Sequence, residues 1–176
     1  MFTRSLRLGA LATVRGTGCC ERAVQETRTA RLAWRGASVR SWRMGPYHEV
    51  SVLHDGRVVR LQRTTRGFET ADDLRFERCR LVEQLNSLGR QGRGLLIDSR
   101  SAPHSTESHL DEEFRRYRRE VMSGFDRVAA LVRTKVAILQ VNRLCAGQAS
   151  AFQVFNDESD AVTYLLGADP SSPSSR

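Results

Sequence analysis

The sequence predicts one α/β domain, in which a single mixed, mostly parallel sheet opened by a β-hairpin carries four helices. Its 176 residues suffice for one domain with a substantial core, and hardly for two. Short apolar runs of strand type alternate along the chain with segments of helical periodicity. Such alternation is typical of parallel strands joined by right-handed helical crossovers.

The predicted hairpin lies in YHEVSVLHDGRVVRLQRT (47–64). Apolar and polar residues alternate in both halves of this stretch, as in strands with one buried face. Asp55-Gly56 between the halves favours the positive φ angles of a tight type I′ turn. We therefore expect two antiparallel strands at the start of the sheet.

The remaining elements follow from periodicity and from residues that begin or end helices. A helix is predicted over 70–89, with Thr70 and Asp73 as a capping pair and Gly89 as its end. The later elements are a strand at 94–98, a helix at 105–125, a strand at 127–132, a helix at 134–147, a strand at 150–155 and a helix at 156–167.

The helix predicted at 105–125 has one apolar face and one charged face. Its apolar face is expected to contain Leu110, Phe114, Tyr117, Val121, Met122 and Phe125. On the other face, Asp111 and Arg115, and likewise Glu112 and Arg116, stand four residues apart in the order that favours ion pairs. The arginines of this helix are therefore expected to form a solvated, paired surface.

The charge distribution argues against a nucleic-acid-binding domain. The formal net charge is +8, but residues 1–43 hold nine arginines and two glutamates, and the rest of the chain is nearly balanced. Recognition of phosphates needs a basic surface, which the body of the chain lacks on composition. We do not expect it to bind nucleic acid.

Composition also suggests the domain boundaries. The segment 1–43 is rich in Arg, Thr, Gly and Ala without sustained periodicity, so we expect it to be disordered, with Met44 as a candidate true start of translation. An organelle transit peptide is the alternative for this segment. The domain is then 44–167, followed by a disordered tail at 168–176.

The four cysteines show no paired spacing, and Cys79 and Cys145 fall on predicted helices. Small buried thiols in a reducing compartment are the favoured interpretation, which with the lack of a long apolar stretch predicts a cytoplasmic protein without a membrane span.

Motifs for catalysis, cofactors or metals are weak. GRQGRG (89–94) precedes a strand, whereas a phosphate-binding loop must follow one. His104 and His109 straddle a loop and a helix start, a spacing that fits no common metal site. We expect no enzyme activity, no cofactor and no metal.

Polar residues follow directly after the strand at 94–98: Asp98, Ser99, Arg100 and Ser101. In open α/β sheets, ligands and partners bind beyond the carboxyl ends of the strands, and these four are our candidate regulatory or interaction residues. The alternative is that they only form a turn, because Asp and Ser side chains accept backbone N–H bonds.

Three stretches follow one another in the body: GLLIDSRSAPH (94–104), FRRYRREVMSGFDRVAALVRTKVAILQVNRL (114–144) and FQVFNDESDAVTYL (152–165). In this order they resemble the SpoIIAA-like, or STAS-like, family, and within it the small bacterial proteins with STAS/SEC14 domains. Anti-sigma-factor antagonists of this group carry a phosphorylatable serine after an aspartate, which matches Ser99 after Asp98. Arg100-Ser101 stands where that group has Ser/Thr-Gly.

The resemblance implies a non-catalytic regulatory domain that binds another protein, for example a kinase or an anti-sigma-type regulator, with phosphorylation of Ser99 as a candidate switch. The alternative function is that of a small-ligand or lipid carrier similar to SEC14-type relatives. The sequence leaves the identity of the partner and the oligomeric state open.

Overall fold

In the computed structural model, which describes residues 40–103, 110–145 and 151–167, one mixed sheet carries helices on both faces. The sheet has six strands in the order of the chain. They are β1 (Arg40–Met44), β2 (His48–Leu53), β3 (Val58–Arg63), β4 (Gly94–Asp98), β5 (Arg127–Leu131) and β6 (Phe152–Phe155). The helices are α1 (Ala71–Leu88), α2 (Asp111–Met122), α3 (Lys135–Cys145) and α4 (Glu158–Leu165).

The sheet begins antiparallel and continues parallel. β1 pairs with β2, and β2 with β3, in antiparallel fashion. The pairs β3–β4, β4–β5 and β5–β6 are parallel. The predicted mixed, mostly parallel sheet opened by a hairpin, with four helices, is therefore confirmed.

The first strand was not predicted. β1 lies across the proposed boundary at Met44, so the sheet starts within the segment 1–43 that was expected to be disordered. Its sequence, RSWRM, contains no β-branched residue, which removed the usual signal for a strand. The strand forms nevertheless, because its backbone pairs with β2 in an antiparallel ladder.

The predicted hairpin forms, but its turn is wider than a two-residue type I′ turn. Leu53 pairs with Val58, and the loop between them includes a short 3₁₀ segment at His54–Gly56. His54 and Asp55 have φ angles of 51° and 55°, so positive φ begins one residue earlier than Asp55-Gly56 predicted. Asp55 tolerates this left-handed conformation better than most residues do.

The predicted capping of α1 is confirmed. Thr70 Oγ1 accepts a hydrogen bond from the backbone N–H of Asp73 at 3.1 Å, and the Asp73 carboxylate accepts one from the backbone N–H of Thr70 at 3.1 Å. Gly89 follows the helix with a φ of 83°. This reciprocal pair satisfies two N–H groups that the first turn otherwise leaves unpaired.

Helix α2 is shorter than predicted at its C-terminal end. It ends at Met122, where Ser123 adopts an extended conformation and Gly124 has a φ of 79°. The predicted start at residue 105 lies outside the described residues. Its ion pairs join Arg115 to Glu112 and Arg116 to Glu120, and so differ from the predicted partners. Spacings of three and four residues both place side chains side by side on a helix, so periodicity alone did not select between them.

Two apolar clusters fill the space on the two faces of the sheet. The larger lies between the sheet and helices α1 and α2, with members such as Val50, Leu61, Leu81, Leu95 and Val121. The smaller lies between the sheet and α4, and contains Val58, Leu96, Ala129, Leu131, Ala161, Tyr164 and Leu165. Both clusters use the runs that the sequence marked as strands.

Candidate functional site

Asp98 ends β4 at the carboxyl edge of the parallel strands, on the face that α4 covers. Its side chain points to the same face of the sheet as that of Leu96, two residues earlier, which belongs to the smaller cluster. Asp98 is only 2% exposed. A buried carboxylate needs hydrogen-bond or charge partners, because burial alone strongly disfavours its charge.

Two arginines supply these partners, and a second acid pairs with both arginines. Arg100 donates from Nε to Asp98 Oδ1 at 3.0 Å and from Nη2 to Asp98 Oδ2 at 2.8 Å. Arg60, from β3, also donates to Asp98 Oδ2. Both arginines reach Glu158 in the first turn of α4, at 2.7 Å from Arg100 and 3.1 Å from Arg60. We call these four residues, Arg60, Asp98, Arg100 and Glu158, the strand-end network.

The network determines the protonation state of Asp98. Burial raises the pKa of Asp98, but the hydrogen bonds from Arg100 and Arg60 outweigh burial and hold it below its usual value. The same contacts with Asp98 and Glu158 raise the pKa of Arg100. Asp98 is therefore a carboxylate at neutral pH, and it holds its two arginines in place instead of acting as a general acid.

The predicted site residues Asp98, Ser99, Arg100 and Ser101 lie together in the turn after β4. The backbone N–H of Ser99 donates to the carbonyl of Leu131 at 2.9 Å, which joins the turn to β5. The backbone N–H of Arg100 donates to Asp98 Oδ1 at 3.2 Å, as the turn interpretation expected. Ser99 and Ser101 are both half-buried.

A second polar cluster lies in the larger core, and the sequence did not predict it. His48 Nδ1 lies 2.7 Å from Glu77 Oε1, and His48 Nε2 lies 2.8 Å from the hydroxyl of Tyr117. The three side chains come from β2, α1 and α2, and all are buried. We call them the core triad.

The core triad carries a neutral imidazole. The short contact with Glu77 would suit an ion pair, but burial outweighs this hydrogen bond and lowers the pKa of His48. With Glu77 as acceptor, Nδ1 is the donor, so Nε2 accepts the hydrogen of the Tyr117 hydroxyl. Burial also raises the pKa of Tyr117, which keeps this hydroxyl protonated.

The order acid, imidazole, hydroxyl is one that nucleophilic enzymes also use. Here, however, the hydroxyl belongs to a tyrosine that is 7% exposed and packed in the larger cluster. We therefore interpret the core triad as a structural link between β2, α1 and α2. The sequence signal that could have revealed it is Glu77 itself, which occupies a core position between Leu74 and Leu81 at helical spacing.

No group of three metal-ligating side chains occurs within residues 40–103, 110–145 and 151–167. His104 and His109, considered above as metal ligands, lie outside these residues. In the same described part of the chain, no helix is long and apolar enough to cross a membrane. Cys145 is buried as predicted, whereas Cys79 is half-buried, and the two thiols are not joined in a disulfide.

Helix α3 exposes apolar side chains. Within the described residues, four large hydrophobic side chains are exposed, and three of them are Val136 (64%), Leu139 (71%) and Leu144 (56%) of α3. Leu144 is adjacent to Cys145 in the helix, and of these two only Cys145 is buried. The exposed residues Gln140 and Arg143 lie on the same side of the helix. We call Val136, Leu139, Gln140, Arg143 and Leu144 the α3 surface.

Comparison with known proteins gives one similar solved structure. It is an uncharacterized protein of the DUF3478 family from Shewanella loihica PV-4, with a TM-score of 0.49 and 15% sequence identity. The match covers 76% of this chain and 98% of the other. That protein is described as having a SpoIIAA-like fold. No protein-family profile and no curated protein matches the chain.

Proposed function

We propose that this chain is a non-catalytic domain that binds another protein at the carboxyl edge of its sheet, and that phosphorylation of Ser99 regulates this binding. The observation that carries the proposal is the strand-end network. Through Arg100, it connects the turn containing Ser99 to the first turn of α4.

The network offers a route by which a modification would change the surface. Phosphorylation of Ser99 adds close to two negative charges beside Arg100. A phosphoryl group binds a guanidinium at least as well as a carboxylate does, so it would compete with Glu158 for Arg100. Loss of the 2.7 Å contact between Arg100 and Glu158 would then free the N-terminal end of α4 from the turn.

The pairing of the polar groups supports a non-catalytic role. Asp98 and Glu158 both form ion pairs with arginines, and the core triad is buried. The apolar side chains on the two sheet faces pack into the two core clusters, which favours a binding domain over a lipid carrier.

Capture of partners by the full chain tests the proposal. Wild-type protein and the Ser99→Ala variant are expected to retain a protein partner, whereas Ser99→Asp should weaken its binding about tenfold, or by about 1.4 kcal/mol. Ser87→Asp is the matched control, because it adds the same charge at an exposed serine of α1 outside the turn, and it should leave binding unchanged.

Two results would count against the proposal. Equal binding by wild type and Ser99→Asp would eliminate the phosphorylation switch. Absence of any specific protein partner, with the variants folded by circular dichroism, would eliminate protein binding itself.

A further inference from the structure

We infer that the α3 surface is a docking site for an acidic, amphipathic helical segment of another protein. This inference rests on the proposed function and adds to it the surface and the chemistry of the partner.

The first argument is the arrangement of the exposed apolar side chains. Val136 and Leu139 are three residues apart, and Leu144 follows Gln140 by four, so these side chains are neighbours on one side of α3. The helix buries only Cys145 completely. An apolar helix side left open in this way is the form in which helical partners are commonly recognised.

The second argument concerns charge. From Arg127 to Asn156 the chain contains four basic residues and no Asp or Glu. Lys135 occupies the first turn of α3, where the helix dipole disfavours a positive charge. A negatively charged partner would compensate for both features.

Charge also argues against two other occupants from this protein. The segment 1–39 carries seven arginines and two glutamates, so it has the same sign of charge as the α3 surface. Two copies of α3 packed against each other would bring Arg143 and Lys135 of both chains together with no acid from either helix.

The distribution of polar residues favours a protein over a membrane. A helix that lies in a bilayer surface keeps its apolar side continuous and places its cations on the flanks. On α3, Gln140 and Arg143 follow Val136 and Leu139 by four residues each, and so lie among the exposed apolar side chains. Such groups need hydrogen-bonding partners at defined positions, which a protein interface provides.

Selection of peptide ligands tests the inference. A displayed library of random peptides is selected on the full-length wild-type protein, after depletion on the double variant Leu139→Asp/Arg143→Glu. We expect peptides in which Asp or Glu alternates with large apolar residues at helical spacing. Their binding should weaken about tenfold or more with Leu139→Asp and with Arg143→Glu.

The control is Arg119→Glu, which makes the same charge change at an exposed position on α2. It should leave peptide binding unchanged, and thermal melts of all variants should match the wild type because the altered side chains are exposed. Arg143→Lys should retain most of the binding, since it keeps the charge.

Four results would overturn the inference. They are selection of no binding peptides, selection of peptides without acids, binding that Leu139→Asp leaves unchanged, and binding of the wild type to phosphatidylglycerol vesicles or to itself through α3. A captured protein partner that is lost with Ser99→Asp but retained with Leu139→Asp would support the proposed function while refuting this inference.

Discussion

At the scale of single residues, the core triad shows how a polar group is accommodated in an apolar core. The two ring nitrogens of His48 form hydrogen bonds with Glu77 and Tyr117, so no polar atom of the imidazole is left without a partner. The guanidinium of Arg63 lies 5.0 Å from the centre of the Phe68 ring nearby. Its charge opposes protonation of His48 and so adds to the effect of burial.

Removal of one hydroxyl from the triad should destabilise the fold. Tyr117→Phe leaves His48 Nε2 buried without a donor, which costs about 1–3 kcal/mol. Urea unfolding measures this loss. Tyr164→Phe is the matched control, because its hydroxyl has no hydrogen bond to the described residues; equal losses in both variants would refute the role of the triad.

The stability of the protein should depend on pH through His48. Its pKa in the folded state lies below the ordinary value of 6.5, so the unfolded chain takes up the proton first as the pH falls. The contribution of neutral His48 to the unfolding free energy is complete above pH 6.5. It is lost as the pH falls from 6.5 through the folded-state pKa of His48.

This effect is measured by unfolding wild type and His48→Gln at several pH values from about 7.5 to about 5, the range in which histidine titrates. The slope of the unfolding free energy against pH should be smaller in the variant. His54→Asn, in the exposed turn, should keep the wild-type slope; an unchanged slope in His48→Gln would mean that His48 is not buried in the neutral form.

At the scale of the elements, arginines from neighbouring segments donate hydrogen bonds to carbonyls at the ends of two helices. Arg90 donates to the carbonyls of Glu120 at 2.8 Å and Ser123 at 2.7 Å, at the C-terminal end of α2. Arg127 similarly donates to the carbonyl of Tyr164 near the end of α4. These contacts join each helix to a neighbouring segment and satisfy carbonyls that the last turn leaves free.

Loss of such a contact should loosen the helix that it holds. Arg90→Gln should lower the unfolding free energy by about 2 kcal/mol, since hydrogen bonds to charged groups contribute about 1.5–3 kcal/mol. Hydrogen exchange should also become faster in the last turn of α2. Arg119→Gln, an exposed change on the same helix, is the control; an equal loss there would show that Arg90 has no special role.

The order of elements was predictable because each one depends on local patterns. Thr70 and Asp73 begin α1 as expected, and Gly94–Asp98 form the predicted strand. The differences arise where distant segments decide the structure. β1 forms because its backbone pairs with β2. Leu144 is exposed because no other described element packs on that side of α3, which helical periodicity alone does not reveal.

At the scale of the whole molecule, the candidate site was only half predictable. Asp98, Ser99, Arg100 and Ser101 were chosen as candidates because ligands and partners of open α/β sheets bind beyond the carboxyl ends of the strands. Arg60 and Glu158 join the network only through the pairing of β3 with β4 and the packing of α4, which bring together residues 38 and 58 positions apart in the sequence. The three members of the core triad likewise come from separate elements. No local pattern encodes such contacts.

The two faces of the sheet explain why we propose recognition at its edge and at α3. Helices α1, α2 and α4 pack most of their apolar side chains into the two core clusters, while α3 leaves three large apolar side chains exposed. The turn after β4 and the start of α3 both follow carboxyl ends of adjacent parallel strands, β4 and β5. They therefore lie at the same edge of the sheet.

Photo-crosslinking in cells that produce the protein tests protein binding most directly. A photoreactive amino acid is placed at Ser101, at Gln140 or, as the control, at Arg119. We expect covalent adducts with another polypeptide from position 101, position 140 or both, and none from position 119. Absence of adducts from both 101 and 140, or equal adducts from 119, would contradict the proposal that this domain acts by binding a protein.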